Sequence, residues 1–131
     1  MLQFDKNNVE KFKIWLYNSC IHDAALKCIE YDKSERILIV NAENLVFDVK
    51  FNFVFNDVEG IFLINKNKLA DSENILSLTI EDIKMPKMFF NSISYKKNID
   101  ENLCLLFQMF SGTEIYVFFN NVVLNMLNTK Q

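Results

Sequence analysis

Glycine is almost missing from this chain: Gly60 and Gly112 are the only two in 131 residues. Phosphate-cradling loops and dinucleotide-binding turns need several glycines, because the backbone must approach a phosphate without a Cβ in the way. Neither class fits. Histidine is scarcer still, with His22 alone. A metal phosphohydrolase centre, the chemistry that a "HD" doublet first suggests, requires further His and Asp ligands, so that reading fails too. No serine stands in a nucleophile-elbow setting; "FSGTE" lacks a preceding glycine and a strand-to-helix context. Three cysteines, an odd number, fit a reducing compartment better than a disulfide framework. The apolar runs "LVF", "IFLI", "LCLLF" and "IYVFF" are far short of the ~20 residues of a membrane helix. The start "MLQFDKNN" carries an acid and no stretch of signal-peptide character. Together these absences predict a cytoplasmic protein with no membrane contact.

What is present is apolar bulk. Half of the residues are hydrophobic and 13 are Phe, enough to rule out disorder and to build a core without disulfides or a structural metal. The length predicts a single domain over residues 1–131. Net charge is −3, so no general attraction to nucleic acid or anionic lipid is expected. The basic doublets Lys66/Lys68, Lys84/Lys87 and Lys96-Lys97 are short and interleaved with acids, as on a solvated surface. Seventeen Asn and 13 Lys stand against one Arg, a codon bias expected of an AT-rich bacterial genome.

Residues 7–18, "NNVEKFKIWLYN", predict the one helix. Val9, Phe12, Trp15 and Leu16 recur at helical spacing and form an apolar stripe, with Asn7 and Glu10 resembling a capping box. Everything after it reads as strand. In "VFDVKFNFVF", Phe47, Val49, Phe51, Phe53 and Phe55 share one face, while Asp48, Lys50 and Asn52 share the other. In "ILSLTIED", Leu76, Leu78 and Ile80 oppose Ser77, Thr79 and Glu81. One dry and one wet face per strand means antiparallel pairing. Further strands are predicted near 25–31, 36–41, 60–64, 75–83, 88–95, 103–110 and 114–119. The links "DKSE", "NAEN", "NKNK", "NIDEN" and "SGT" supply turn residues. The expected fold is α+β: one N-terminal helix packed on a mainly antiparallel, curved β-sheet or small sandwich, in meander order. An internal echo relates 53–63 to 117–127, matching Phe55, Asn56, Val58 and Leu63 with Phe119, Asn120, Val122 and Leu127. Convergent strand-then-turn chemistry explains it as well as duplication does.

Chemistry has few places to reside. Cys28 and Cys104 fall within apolar strand patterns, where a thiol is inert packing. Cys20, His22, Cys28 and Cys104 have the softness for structural zinc, but their spacing lacks the usual close pairs, so no metal and no cofactor is expected. His22-Asp23 reads as a structural joint between helix and first strand. The Asp accepts from backbone N–H groups in a turn, and the imidazole satisfies a carbonyl or hydroxyl. On that reading His22→Ala costs ~1–2 kcal/mol.

The segment "SCIHDAALKCIEYDKSERILIV" resembles the opening of a set of small bacterial domains. In these a His-Asp-(Ala/Ser) doublet leads into a strand, an acidic turn and a second strand. Later strands there carry Phe-x-x-Val, as "FNDV" and "FNNV" do here. Some such domains are similar to immunity proteins of polymorphic toxin systems. The resemblance implies a non-catalytic protein that binds and neutralises a cognate toxin, with no catalytic residue to carry over.

An acidic chain suits a basic toxin, and the contact residues expected are acids outside strand cores: Asp57, Glu59, Asp71, Glu73, Asp100 and Glu101. The alternative is a small-ligand-binding or unfamiliar enzymatic domain, with a pocket near His22 and Asp23 lined by Trp15, Tyr17 and Tyr31. A homodimer through an exposed strand edge fits either function. Lys96-Lys97 would guard such an edge, while "EIYVFF" has only Glu114.

Overall fold

The computed structural model describes residues 1–64, 73–82 and 102–128. Its elements in chain order are β1 (Leu2–Phe4), α1 (Val9–Asn18), β2 (Ala25–Asp32), β3 (Ile37–Asn44), β4 (Val49–Asn56), β5 (Gly60–Ile64), β6 (Glu73–Glu81), β7 (Leu103–Met109), β8 (Glu114–Phe119) and β9 (Asn121–Asn128). One helix packs on a sheet of nine strands in the order β1-β9-β4-β3-β2-β6-β7-β8-β5, with every described pair antiparallel. The predicted α+β class is therefore the observed one. The strand predicted at 88–95 lies outside the described residues, as do the Lys66/Lys68, Lys84/Lys87 and Lys96-Lys97 doublets.

The sheet is bent so that its two halves face each other across one core, and among the described residues it does not close into a barrel. Phenylalanine does most of the filling. Phe53 and Phe55 of β4 meet Phe107 of β7 edge-on at 6.3 Å between ring centroids, and Phe55 meets Phe119 at 4.9 Å. Edge-to-face contact is the geometry that the ring quadrupoles favour. α1 lays Phe12 and Leu16 into this core, while Phe12 stacks on Phe4 at 4.5 Å and Trp15 turns its edge to Phe51 and Phe53. The predicted stripe is thus the buried one. The capping box sits earlier than predicted: the Asn7 N–H donates to Asp5 Oδ1 at 2.8 Å and the Asp5 N–H to Asn8 Oδ1 at 2.7 Å. It closes a 3-10 turn over Lys6–Asn8 that leads into α1.

Three strand readings need correction. The run "NAEN" is the end of β3, and the turn falls on Leu45–Asp48. Phe47, expected in line with Phe51, is therefore in the turn and exposed. The alternation holds only from Val49 on, because Asp48 adopts φ 54°, a left-handed conformation that an acidic side chain tolerates and an extended strand excludes. In β6 the inward residue is Ile75, not Leu76. A register shift between Ile75 and Ser77 leaves Leu76 as the unpaired step of a bulge, facing solvent. Lastly, "EIYVFF" is β8, flanked by β7 and β5, so it is not an open edge.

β9 was visible in the sequence only as half of the echo, and that echo has a spatial meaning. Its two segments run antiparallel along each other. β4 pairs with β9 from Val49↔Asn128 to Asn56↔Asn121, and β5 pairs with β8 from Gly60↔Phe118 to Ile64↔Glu114. Both segments cross between the sheet halves at the same place, where the Asn120 N–H donates to the Asn56 carbonyl at 3.1 Å and Asn56 Nδ2 to Asn121 Oδ1 at 2.9 Å.

Candidate interaction surface

At His22-Asp23, between α1 and β2, the bonds are not the expected ones. Asp23 contributes a positive φ of 68°, and its N–H donates to the Ile75 carbonyl at 2.8 Å, tying the joint to β6. The side chains of His22 and Asp23 make no hydrogen bond among the described residues. The side chain that holds the joint is Asn44, the last residue of β3 and buried. Its Nδ2 donates to the carbonyl of Cys20 at 2.7 Å and to that of His22 at 3.3 Å. Its Oδ1 accepts the N–H of Val46 at 3.0 Å and of Phe47 at 3.3 Å. One amide thus uses both donors and its acceptor, the full satisfaction that a buried Asn requires.

The consequence is an apolar tip held in a fixed shape. Leu45, Val46 and Phe47 are 67%, 83% and 62% exposed, on a turn whose N–H groups are clamped from beneath. Scattered exposed apolar residues are ordinary. A contiguous run of three on a turn held from beneath is a candidate contact surface.

The tip adjoins the outer face of β2, β3, β4 and β9. Side chains there stand in rows across the strands: Glu43, Lys50 and Leu127 in one, Asn41, Asn52 and Asn125 in the next, then Ile39, Val54 and Val123. Asn52 Nδ2 donates to Asn41 Oδ1 at 2.7 Å, which aligns two amides of the middle row. A groove of about 640 Å³ runs over the first two of these rows, edged by Lys27, Glu43, Lys50, Met126 and Leu127. Lys27, Glu43 and Lys50 form no ion pair among the described residues, so their charges face solvent. Apolar tip and polar flank together match the core-and-rim composition of protein interfaces.

The acids expected to contact a partner are placed otherwise. Asp57 and Glu59 flank Arg36: Asp57 Oδ1 lies 3.5 Å from Nη2, and Glu59 Oε1 accepts from Nη1 at 3.2 Å. The Glu59 side chain is only 6% exposed, which removes it from the surface, and burial pushes its carboxyl pKa up against the pull of Arg36. Glu73 opens β6 opposite Leu26. Asp71, Asp100 and Glu101 lie outside the described residues. Among the described residues, these acids assemble no acidic patch.

Nor are the aromatics near His22 brought round one space. Trp15 packs on Phe51 and Phe53, Tyr17 projects into solvent, and Tyr31 pairs with Leu38 near the far end of β2. The thiols are dispersed as well. Burial raises the Cys104 pKa to about 12, while Cys28 Sγ lies 3.6 Å from Glu30 Oε1. No group of three or more His, Cys, Asp or Glu among the described residues is placed to hold a metal. No helix among them is long and apolar enough to cross a membrane.

No protein-family model and no curated protein matches the chain.

Proposed function

We propose that this chain is a non-catalytic protein-binding domain, of the immunity type, that neutralises a bacterial protein toxin by docking it on the β3–β4 tip and the adjoining outer face of the sheet. The observation that carries this reading is the exposed Leu45-Val46-Phe47 run, clamped by the buried Asn44 amide. A rigid apolar anchor loses little conformational freedom on binding, which is how a small surface reaches useful affinity. The surrounding Asn rows, with Lys27, Glu43 and Lys50, supply the polar rim that fixes orientation. With two ammonium groups against one carboxylate, this rim favours a partner face richer in acids than the sequence alone suggested.

The test compares a tagged wild-type chain with the V46D/F47D variant, each used to capture proteins from the source cell. Wild type retains one near-stoichiometric partner and the variant loses it. Equal capture by both would refute the assignment of the surface, and the absence of any stoichiometric partner would refute the binding role.

A further inference from the structure

A second feature, independent of the interaction surface, lies where the bent sheet fails to close evenly. β2 pairs with β6 only at Ala25↔Asn74 and Leu26↔Glu73. Beyond Leu26, the described partners of β2 are on the β3 side alone. β5 ends the strand order, beyond β6, β7 and β8. Between β2 and β5 the inward side chains of the two halves leave a space unfilled.

The gap holds a cavity of about 210 Å³. Leu26, Ile29 and Val40 line it from the first half, and Ile61, Leu63 and Phe107 from the second; the remaining lining residues are also aliphatic. Ile29 and Leu63 are 46% and 53% exposed and mark the mouth. Ordered water needs polar partners, which this lining does not offer. Apolar cavities of about 150 Å³ stay dry and take up hydrocarbon instead. A charged or hydrogen-bonding group would lose its hydration inside with no compensating contact.

We propose that this cavity is a binding site for an unbranched aliphatic chain of about seven carbons, its polar head left in water between Ile29 and Leu63. The length follows from volume. A methylene is close in size to a water molecule, whose share of the liquid is about 30 Å³, so the space accommodates about seven. An amphiphile meets both constraints at once: its tail fills the space against nine apolar side chains, and its head needs no partner within.

The test is a titration of the full-length, methyl-labelled protein with n-alkanols from butanol to dodecanol, followed by NMR. Saturable shifts are expected at the methyls of Leu26, Ile29, Ile61 and Leu63. The dissociation constant should fall about fourfold per added methylene and level off near seven carbons. Ile29→Trp closes the mouth from an exposed position that tolerates bulk, and should weaken heptanol binding at least tenfold. Affinity that keeps rising through dodecanol, shifts spread over the Phe53 and Leu105 region of the core, or heptanol binding unchanged by Ile29→Trp would each overturn the proposal. So would an absence of saturable shifts.

Discussion

Asn44 Nδ2 donates to the Cys20 carbonyl at 2.7 Å, bridging residues 24 positions apart. This bond makes the end of β3 and the exit of α1 one rigid unit, because the same amide also holds the turn at Val46 and Phe47. Asn44→Ala strips partners from two carbonyls and two N–H groups at once. Water can reach some of them, so the expected cost is about 3 kcal/mol rather than the sum of four buried losses. His22→Ala, which removes no hydrogen bond, should cost less than about 0.5 kcal/mol. Urea denaturation of both variants checks the ranking, in which His22→Ala falls below the ~1–2 kcal/mol read from the sequence.

The exposed tip separates folding from binding. Val46→Asp and Phe47→Ser alter side chains that face solvent, so the denaturation midpoint should move by no more than about 0.5 kcal/mol equivalent. Partner affinity should fall at least tenfold, as expected for a central anchor. A variant that unfolds along with losing its partner would show that the tip is structural.

Arg36 and Glu59 form an uneven pair, since the carboxylate is buried and the guanidinium is more than a third exposed. Arg36→Ala leaves that buried charge uncompensated and should cost roughly 2 kcal/mol at pH 7, less than for a fully buried pair because solvent screens the arginine. Glu59→Gln added to it should recover most of the loss. The sign with pH follows from Glu59 being raised above its ordinary 4.5. The folded state takes up the proton first, so its handicap at neutral pH is relieved as pH falls through the raised value toward 4.5. The Arg36→Ala penalty should shrink over that window, which stability curves at several pH values will reveal.

Cys104 sits against Phe118 on the outer side of β7 and is 2% exposed. Burial raises its pKa from 9.0 to about 12, so the folded state keeps a proton that the unfolded chain releases. Stability from this thiol is complete below pH 9 and is lost as pH rises toward 12. Cys104→Ala should lower stability at pH 7 and flatten the fall above pH 9. The wild-type thiol should react with a disulfide reagent only at the rate of unfolding.

Much of the fold was legible because Phe51, Phe53 and Phe55 alternate strictly with Lys50, Asn52 and Val54, and because Phe12 and Leu16 keep helical spacing. The site was far less so. Asn41 and Asn44 are turn-formers by composition, which placed the bend at "NAEN". Tertiary context overrides that preference by giving the Asn44 amide the carbonyls of Cys20 and His22, contacts with no local signature. Once the bend moves past Asn44, the apolar "LVF" is forced outward. β9 carries a weak strand signature because Asn121, Asn125 and Asn128 depress strand propensity; pairing with β4 supplies what the residues lack. The bulge at Leu76 turns on one unpaired residue, which a period-two pattern cannot register.

The most direct measurement is amide hydrogen exchange of the chain alone and in complex with its captured partner. New protection at Leu45–Phe47 and Asn125–Leu127, with no change over α1 and β6, is the expected result. Protection that leaves the β3–β4 tip exchanging as it does in the free chain would contradict the docking surface.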